Sequence, residues 1–521
     1  MGVESFAFVP FPSPGQAFFT VGVCIFSYIL LVLLYRLYLS PLAAFPGPKI
    51  AAATHLCEFY YDVIKRGQFV FKLREWHAKH GPIIRINPDE IHIYDADYLQ
   101  SSVFTASSGK RREKYEVATR VFGAPQAAIA TVDHDVHRMR RRAMGRFFSK
   151  ENVRRVEPII QTTLQRMFAR MQDYRETGRP LTISLLYSAF TADVITEYAF
   201  AKSNNYLDMP DLNKKFFDMM VGVHEMGAAA RYFKWMMPVL NSLPPWLVTK
   251  LNPGMREFFV FQEDMKGRIQ EVKEKSEYYG TLTHKTVFHE ILTSNIPAPE
   301  KTVDRLWQDA EIVSVAGTET TAWTLVVITY YLLADPEVLR RLRVELFTIT
   351  EESVPWKRLE KLPYLTAIIQ EGLRLSFGVT SRLVRTCPDE IVRYTNKGKI
   401  REIPAGTPIS TTGPLYHLDS SIFSDPLRFR PERWLEQGQS LDRYLWSFSK
   451  GSRQCLGMNL AYAELYLCLF AVFRRYGGPG DQSPRMELFE TSVEDVEFKY
   501  DLFVPYPKME SKGIRVVLKD D

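Results

Sequence analysis

The sequence predicts a mainly α fold with small β-sheets: one large domain over residues 45–521, behind a single N-terminal membrane anchor over residues 1–44. Three observations carry this. Residues 5–35 hold no charged side chain. Long stretches at roughly 137–148, 151–174, 183–200, 255–276, 303–334, 336–350, 364–376 and 457–476 repeat apolar residues with helical periodicity. Two short alternating runs turn back on themselves at Asn87-Pro88-Asp89-Glu90 and at Asn396-Lys397-Gly398. No internal repeat or low-complexity tract interrupts the body, and no linker follows residue 49.

The densest apolar stretch, residues 17–35, is nineteen residues long, and at about 1.5 Å per residue it spans roughly the thickness of a bilayer's hydrocarbon core. A cleaved signal peptide is the rival reading. That would have a basic leading flank and a shorter apolar core, whereas here the flank holds only Glu4. The first cations, Arg36 and Lys49, lie after the span, so the body is expected on the cytosolic side of the endoplasmic reticulum membrane. Phe45-Pro46-Gly47-Pro48 cannot continue a helix and reads as a stiff linker. The 303–334 helix is not a second span, because Thr318-Glu319-Thr320-Thr321 interrupts it.

Composition narrows the function. With 66 Lys+Arg against 60 Asp+Glu the net charge is +6, too dilute over 521 residues to imply nucleic-acid binding. Five scattered cysteines (Cys24, Cys57, Cys387, Cys455, Cys468) form no C-x-x-C pair, which argues against a disulfide framework or structural zinc and for a reducing compartment.

One cysteine stands apart. In Phe448-Ser449-Lys450-Gly451-Ser452-Arg453-Gln454-Cys455-Leu456-Gly457, glycines on both sides let the backbone approach a flat cofactor. The helix that follows aims its N–H groups at the sulfur, which favours a thiolate. Arg453 offers a cation to a carboxylate on the same ligand. The bland alternative, a small buried residue, suits Cys468 better.

F-x-x-G-x-R-x-C-x-G resembles the haem-binding signature of the cytochromes P-450. The resemblance implies the fold of that family, haem b with Cys455 as axial iron ligand, and Phe448, Gly451, Arg453 and Gly457 around the cofactor. Ala316-Gly317-Thr318-Glu319-Thr320-Thr321 is similar to the family's oxygen-side helix. By that match Ala316 and Gly317 lie over the haem, Thr320 holds a hydrogen-bonded water, and Glu319 feeds protons to the oxygen being activated. A carboxyl beside a hydroxyl suits two successive protonations. Glycine and threonines in mid-helix also predict a distorted turn there.

Glu371-Gly372-Leu373-Arg374 resembles the family's E-x-x-R, and Pro431-Glu432-Arg433-Trp434 its P-E-R-F/W. Other E-x-x-R copies occur, at Glu151, Glu176, Glu337 and Glu390, and only the one at 371 precedes the second motif by the right distance. The implied role of Glu371, Arg374 and Arg433 is a buried structural triad. His137-Arg138-Met139-Arg140-Arg141 aligns with W-x-x-x-R, histidine replacing tryptophan, so His137 and Arg141 become propionate contacts, as does Arg385. A solvated face or a nucleic-acid contact is the other reading of this arginine run.

Taken whole, the resemblance implies a monooxygenase using O2 and electrons from NADPH through NADPH-cytochrome P-450 reductase, with cytochrome b5 as a further donor. Arg138, Arg142 and Lys450 could form the reductase-docking patch. An O2-independent isomerase or dehydratase and a non-catalytic haem protein are the other readings, and the retained Glu319–Thr320 pair counts against both. Substrate contacts are expected from 110–132, 205–245, Val313, Ala316, Val379 and Thr380, apolar stretches that suit a small apolar molecule entering from the lipid membrane. The segments at 77–88 and 378–382 look like fungal secondary-metabolism members, including the trichodiene oxygenase type. They imply a terpenoid or meroterpenoid intermediate, with a polyketide or alkaloid as the alternative.

Overall fold

The computed structural model describes residues 13–98, 101, 103–105, 109–282, 285–351, 354–478 and 484–520; the first twelve residues of the anchor segment lie outside them. The first helix, Pro14–Leu34, opens on a capping box in which Ser13 and Gln16 each take the other's backbone N–H, and proline fills the first turn. It runs on into a wider turn at Tyr35–Leu39, giving 26 apolar residues long enough to cross a membrane. None of its side chains from Pro14 to Leu34 is buried by the body. Val303–Ala334 passes the same length and composition test, yet its apolar surface is spent inside the body. The linker is stitched to the first strand: the Arg85 N–H donates to the Pro46 carbonyl at 2.7 Å and its guanidinium to the Arg36 carbonyl at 2.6 Å.

Helices dominate the body, as the periodicity predicts. Val303–Ala334 runs through its centre, starting after an extended Thr302. Against it packs Ile183–Phe200, apolar on every face and almost wholly buried, which is the pattern of a helix enclosed all round. Helices Met255–Glu274, Pro363–Ser376 and Met458–Arg475 close the other sides of the central helix. The predicted 151–174 helix is two, Lys150–Arg155 and Glu157–Thr177, because Pro158 starts a new first turn rather than continuing the old one. The central helix runs unbroken through its threonine cluster. Thr318, Thr320 and Thr324 each donate to the carbonyl four residues back, at 2.7, 2.9 and 3.0 Å, so the hydroxyls are absorbed without a distorted turn.

Sheet is more widespread than two hairpins. β1 (Ile83–Arg85) and β2 (Ile91–Ile93) pair as predicted, and β2 then joins β7 (Ile409–Thr411) and β4 (Leu383–Arg385) in one sheet. β5 (Val392–Asn396) and β6 (Lys399–Ile403) form the second predicted hairpin. Its two turn residues, Lys397 and Gly398, both have positive φ, as a tight hairpin turn requires. Two further sheets were not anticipated: β3 (Leu181–Thr182), β11 (Arg515–Lys519) and β8 (Arg485–Leu488), and the hairpin of β9 (Tyr500–Leu502) with β10 (Val504–Tyr506).

The fully buried Glu371 carboxylate ties these elements together below the cysteine loop. It accepts two bonds from Arg374, at 2.9 and 2.8 Å, one from Arg433 at 3.2 Å, one from the Trp434 indole at 2.9 Å and one from the Arg430 N–H at 2.8 Å. Arg374 spends its remaining donors on the carbonyls of His417, Pro426 and Arg428. His417 continues the chain: its Nε2 accepts the Trp446 N–H at 2.9 Å, so its Nδ1–H donates to the Arg374 carbonyl, also at 2.9 Å. Removing one partner of such a hub strands the others. Glu371→Ala should therefore lower unfolding free energy by about 3–5 kcal/mol, read from denaturant midpoints.

Burial, and then the Arg374 charge, push the His417 imidazole down to about 3. A histidine depressed on folding contributes stability above its ordinary pKa of about 6.5 and loses it as pH falls. The loss should approach ~1.4 kcal/mol per pH unit below pH ~6. His417→Asn should flatten that limb in denaturation curves taken at several pH values, whatever the other titrating groups contribute.

Candidate functional site

The cysteine loop leaves Trp446, crosses Ser449 in the left-handed region and Gly451 at φ +75°, and turns through a short 3₁₀ segment, Gly451–Arg453. The Cys455 N–H donates to the Phe448 carbonyl at 2.8 Å, closing the loop on itself. Its floor is set by Gly378, where a Cβ would lie 2.6 Å from the Ser447 carbonyl oxygen and φ is +74°, so only glycine lets the two chains meet. Phe448 packs beside Tyr462 on the following helix, Met458–Arg475, with ring centroids 5.2 Å apart.

Cys455 is reached by a water-sized sphere although protein atoms crowd it on all sides, which means that its sulfur faces an internal space. Burial pushes the thiol up. The N–H groups of Gly457 and Met458 and the Arg141 charge work in the opposite direction.

Four cationic side chains and one histidine converge on the same region. His137 and Arg141 come from one face of the His134–Gly145 helix, which Asp133 caps by accepting the N–H groups of Asp135 and Val136. Arg385 is the last residue of β4, Arg453 belongs to the loop, and Lys114 lies in the segment before Tyr115. Their mutual effects place them together. Burial, then Arg453, Lys114, Arg141 and Arg385, push His137 down to about 2. Burial lowers Arg385 to about 10, and burial with Arg385 lowers Arg453 to about 9. Lys114 falls well below its ordinary value through burial, Arg385 and Arg453.

Among the described residues none of the five has a carboxylate in an ion pair, and the Arg453 Nε is buried with no partner at all. Two Arg453 donors do bond the carbonyls of Thr131 and Val132, at 2.7 and 2.9 Å, which fixes the side chain while leaving its charge uncompensated. A cofactor carrying two carboxylates is the complement of such a set, so the residues present fit haem.

The arginine run divides by helical face. His137 and Arg141 turn inward; Arg138, Arg142 and Arg146 are exposed; Arg140 is bound to Glu300 at 2.7 Å. Lys450 is half-buried and caps the Arg443 carbonyl at 2.6 Å.

On the central helix, Ala316 is exposed between half-buried neighbours in the middle of an otherwise enclosed helix, again marking an internal space, with Val313 and Thr320 half-exposed one turn to either side. Gly317 serves packing: a Cβ there would lie 2.6 Å from Ile195 of the Ile183–Phe200 helix. Glu319 points toward the Lys214–Tyr232 helix, where the His224 Nε2 is 3.3 Å from its Oε2. Val379 is half-buried, and Thr380 is fully buried with its hydroxyl on Asp501 at 2.8 Å. Sequence reasoning missed Lys114 and His224. Neither sits in a spaced motif, and burial alone distinguishes them.

A family model described as cytochrome P450 matches residues 52–489. Among curated proteins, cytochrome P450 monooxygenase tpcC of Cochliobolus heterostrophus is 43% identical over 94% of this chain and 94% of its own length. N-acetyltryptophan 6-hydroxylase ivoC of Emericella nidulans is 38% identical over 94% and 96%. Cytochrome P450 monooxygenase TRI4 of Fusarium sporotrichioides is 36% identical over 92% and 91%.

The uncompensated cations generate a prediction. Lys114→Met should relieve repulsion in the haem-free protein, and so raise its stability, while weakening haem retention about tenfold, since each buried charge-assisted contact contributes on the order of 1.5 kcal/mol or more. Soret absorbance relative to protein, followed during transfer of haem to an acceptor protein, reads the second effect; thermal unfolding of the apoprotein reads the first.

Proposed function

The chain belongs to the cytochrome P450 family, and from that membership we propose that Cys455 is the axial thiolate and that the substrate is a terpenoid or meroterpenoid intermediate of fungal secondary metabolism. The protein is a monooxygenase that uses haem, O2 and electrons from a reductase partner. Haem, when bound, supplies the activation of O2 and the oxidation of the substrate. What remains is the work of this chain's own side chains.

The observation that carries the reading is a cysteine sulfur facing an internal space beside buried cations that lack carboxylates. Cys455 would hold the iron, its thiolate favoured by two backbone N–H groups and Arg141 against the effect of burial. Arg141, Arg385, Arg453 and Lys114 would neutralise the propionates, with His137 as a neutral ring donor beside them. On the opposite side, the Thr320 hydroxyl donates to the Ala316 carbonyl, which leaves its oxygen lone pairs to receive a water's hydrogen. Glu319, the residue before it, would relay protons arriving from solvent to this water.

Electron supply favours the exposed face of the arginine helix. Arg138 and Arg142 stand there, suited to the acidic surface of NADPH-cytochrome P-450 reductase, and cytochrome b5 would use the same patch. Membrane attachment in the endoplasmic reticulum through the 14–39 helix accords with the exposed apolar side chains Leu56, Ile64, Trp235 and Trp246 on the body. A cavity of about 350 Å³ lies near some of them, lined by Leu56, Phe59, Tyr115, Arg231, Phe233 and Arg382, and would admit a small apolar molecule from the lipid side. The terpenoid reading rests on the resemblance of segments 77–88 and 378–382 to the trichodiene oxygenase type; a polyketide or alkaloid is the second reading, and the similarity to an N-acetyltryptophan hydroxylase favours its alkaloid side.

Reduced protein with carbon monoxide should show the red-shifted Soret band of a thiolate ligand, and Cys455→Ser should abolish it; an unchanged spectrum in that variant would falsify the assignment. Thr320→Ala should consume NADPH at a comparable rate but divert about tenfold more of it to peroxide.

A further inference from the structure

We propose that His224 is a positioning residue for Glu319: it fixes the carboxylate's aim and fastens the Lys214–Tyr232 helix and the β9–β10 hairpin to the central helix, with Tyr506 setting its tautomer. This rests on the assignment of Glu319 and Thr320 as the proton-delivering pair.

The geometry is a three-member chain across three elements. The His224 Nε2 is 3.3 Å from Glu319 Oε2 on the central helix, and its Nδ1 is 3.1 Å from the Tyr506 hydroxyl at the end of β10. The two rings meet edge to face, with centroids 5.9 Å apart. His224 and Glu319 are both largely shielded, with side chains 10% and 18% exposed. A neutral imidazole carries one N–H, and an ionised carboxylate only accepts. The Tyr506 O–H donates to Nδ1, so Nε2 is the nitrogen that carries the ring proton, and it faces Glu319 Oε2 across a polar contact of 3.3 Å. Burial, then Glu319 and Glu225, keep that phenol protonated and able to donate. The order of donors is thereby set along the whole chain.

The family pattern at this position admits aspartate or glutamate, and this chain carries the longer acid. Glutamate has one more rotatable bond, so aiming it costs more side-chain entropy. A fixed donor on a neighbouring helix removes that freedom in advance. The same contact spans the wall of the pocket. Gly227, three residues after His224, lies so close to Val121 that a Cβ would sit 2.7 Å from its carbonyl oxygen. Phe122 meets Phe503, the residue between β9 and β10, at 5.2 Å. Phe503 itself is held at φ +77°, with its carbonyl accepting the Thr380 N–H. Helix, hairpin and acid are thus one connected wall, and any movement that opens it withdraws His224 from Glu319.

The test uses the full-length, membrane-bound holoenzyme with reductase, comparing His224→Ala, His224→Gln, Tyr506→Phe and Glu319→Gln. Two quantities are read: product formed per NADPH consumed, and amide hydrogen exchange over 214–232 and 500–506 without reductase. His224→Ala should lower coupling about tenfold and raise exchange in both segments. His224→Gln should restore most of the coupling, since its amide N–H can donate to Glu319. Tyr506→Phe should give a smaller loss, about threefold, because the unwanted tautomer is then free to form. If Glu319→Gln uncouples while His224→Ala matches the parent in both readings, the positioning role is wrong and the assignment of the acid stands. If Glu319→Gln itself couples normally, the underlying assignment is wrong. Should His224→Ala lose its haem, Tyr506→Phe decides alone: parental coupling and exchange overturn the proposal.

Discussion

Cations gathered in one interior space around a neutral histidine, none of them in an ion pair with a carboxylate among the described residues, form an arrangement that a polypeptide cannot hold cheaply. Lys114, Arg141, Arg385 and Arg453 keep a proton off His137, Arg385 and Arg453 act against each other and against Lys114, and burial strips the group of the water that would otherwise screen the repulsion. The fold accepts this strain because each side chain is anchored by an element stabilised elsewhere: a capped helix, a strand of the four-stranded sheet, and a loop fastened by its own backbone bonds. The two carboxylates of a bound haem would relieve the strain, and cofactor binding and folding would then be linked through charge.

Rigidity is concentrated below the sulfur for the same reason. Glu371 is wholly buried, yet all its acceptor capacity is used by Arg374, Arg433, Trp434 and the Arg430 N–H. Through Arg374 and His417 the network reaches the Trp446 N–H, two residues ahead of Phe448 and nine ahead of Cys455. A buried charge whose partners are backbone carbonyls on several loops acts as a geometric fixture: no loop can shift without leaving a donor unpaired. That suits a ligand whose sulfur must be held still, and it explains why so much polar chemistry sits in the least accessible part of the molecule.

The parts legible in the sequence are those whose chemistry is local. Cys455 and Arg453 lie two residues apart, Glu371 and Arg374 one helical turn apart, and Lys397-Gly398 form a turn that needs no distant partner. The anchor is readable because nothing in the body covers it. What escaped was made by distance. β3 exists only because Leu181 and Thr182 meet Val516 and Arg515, more than three hundred residues later. Lys114 looks like any surface lysine until Arg385 and Arg453 are folded over it. The threonine cluster invited a distorted turn, since hydroxyls compete for carbonyls, but the competition was settled within the helix by bonds to the preceding turn.

The two sides of the site therefore follow opposite designs. Below the cysteine, the Glu371 carboxylate is fully used and the local code is dense, so the sequence announces it. On the side assigned to oxygen, Glu319 lies 3.3 Å from a single imidazole of another helix, which in turn meets a phenol from the C-terminal hairpin. A fixed ligand and a movable acid are what this chemistry needs: the sulfur has one position in every state, whereas the proton donor must be in register only when the pocket is closed. If the acid's aim depends on that contact, as proposed, proton delivery would follow the packing of these elements, and that dependence would separate useful oxidation from wasted reducing equivalents.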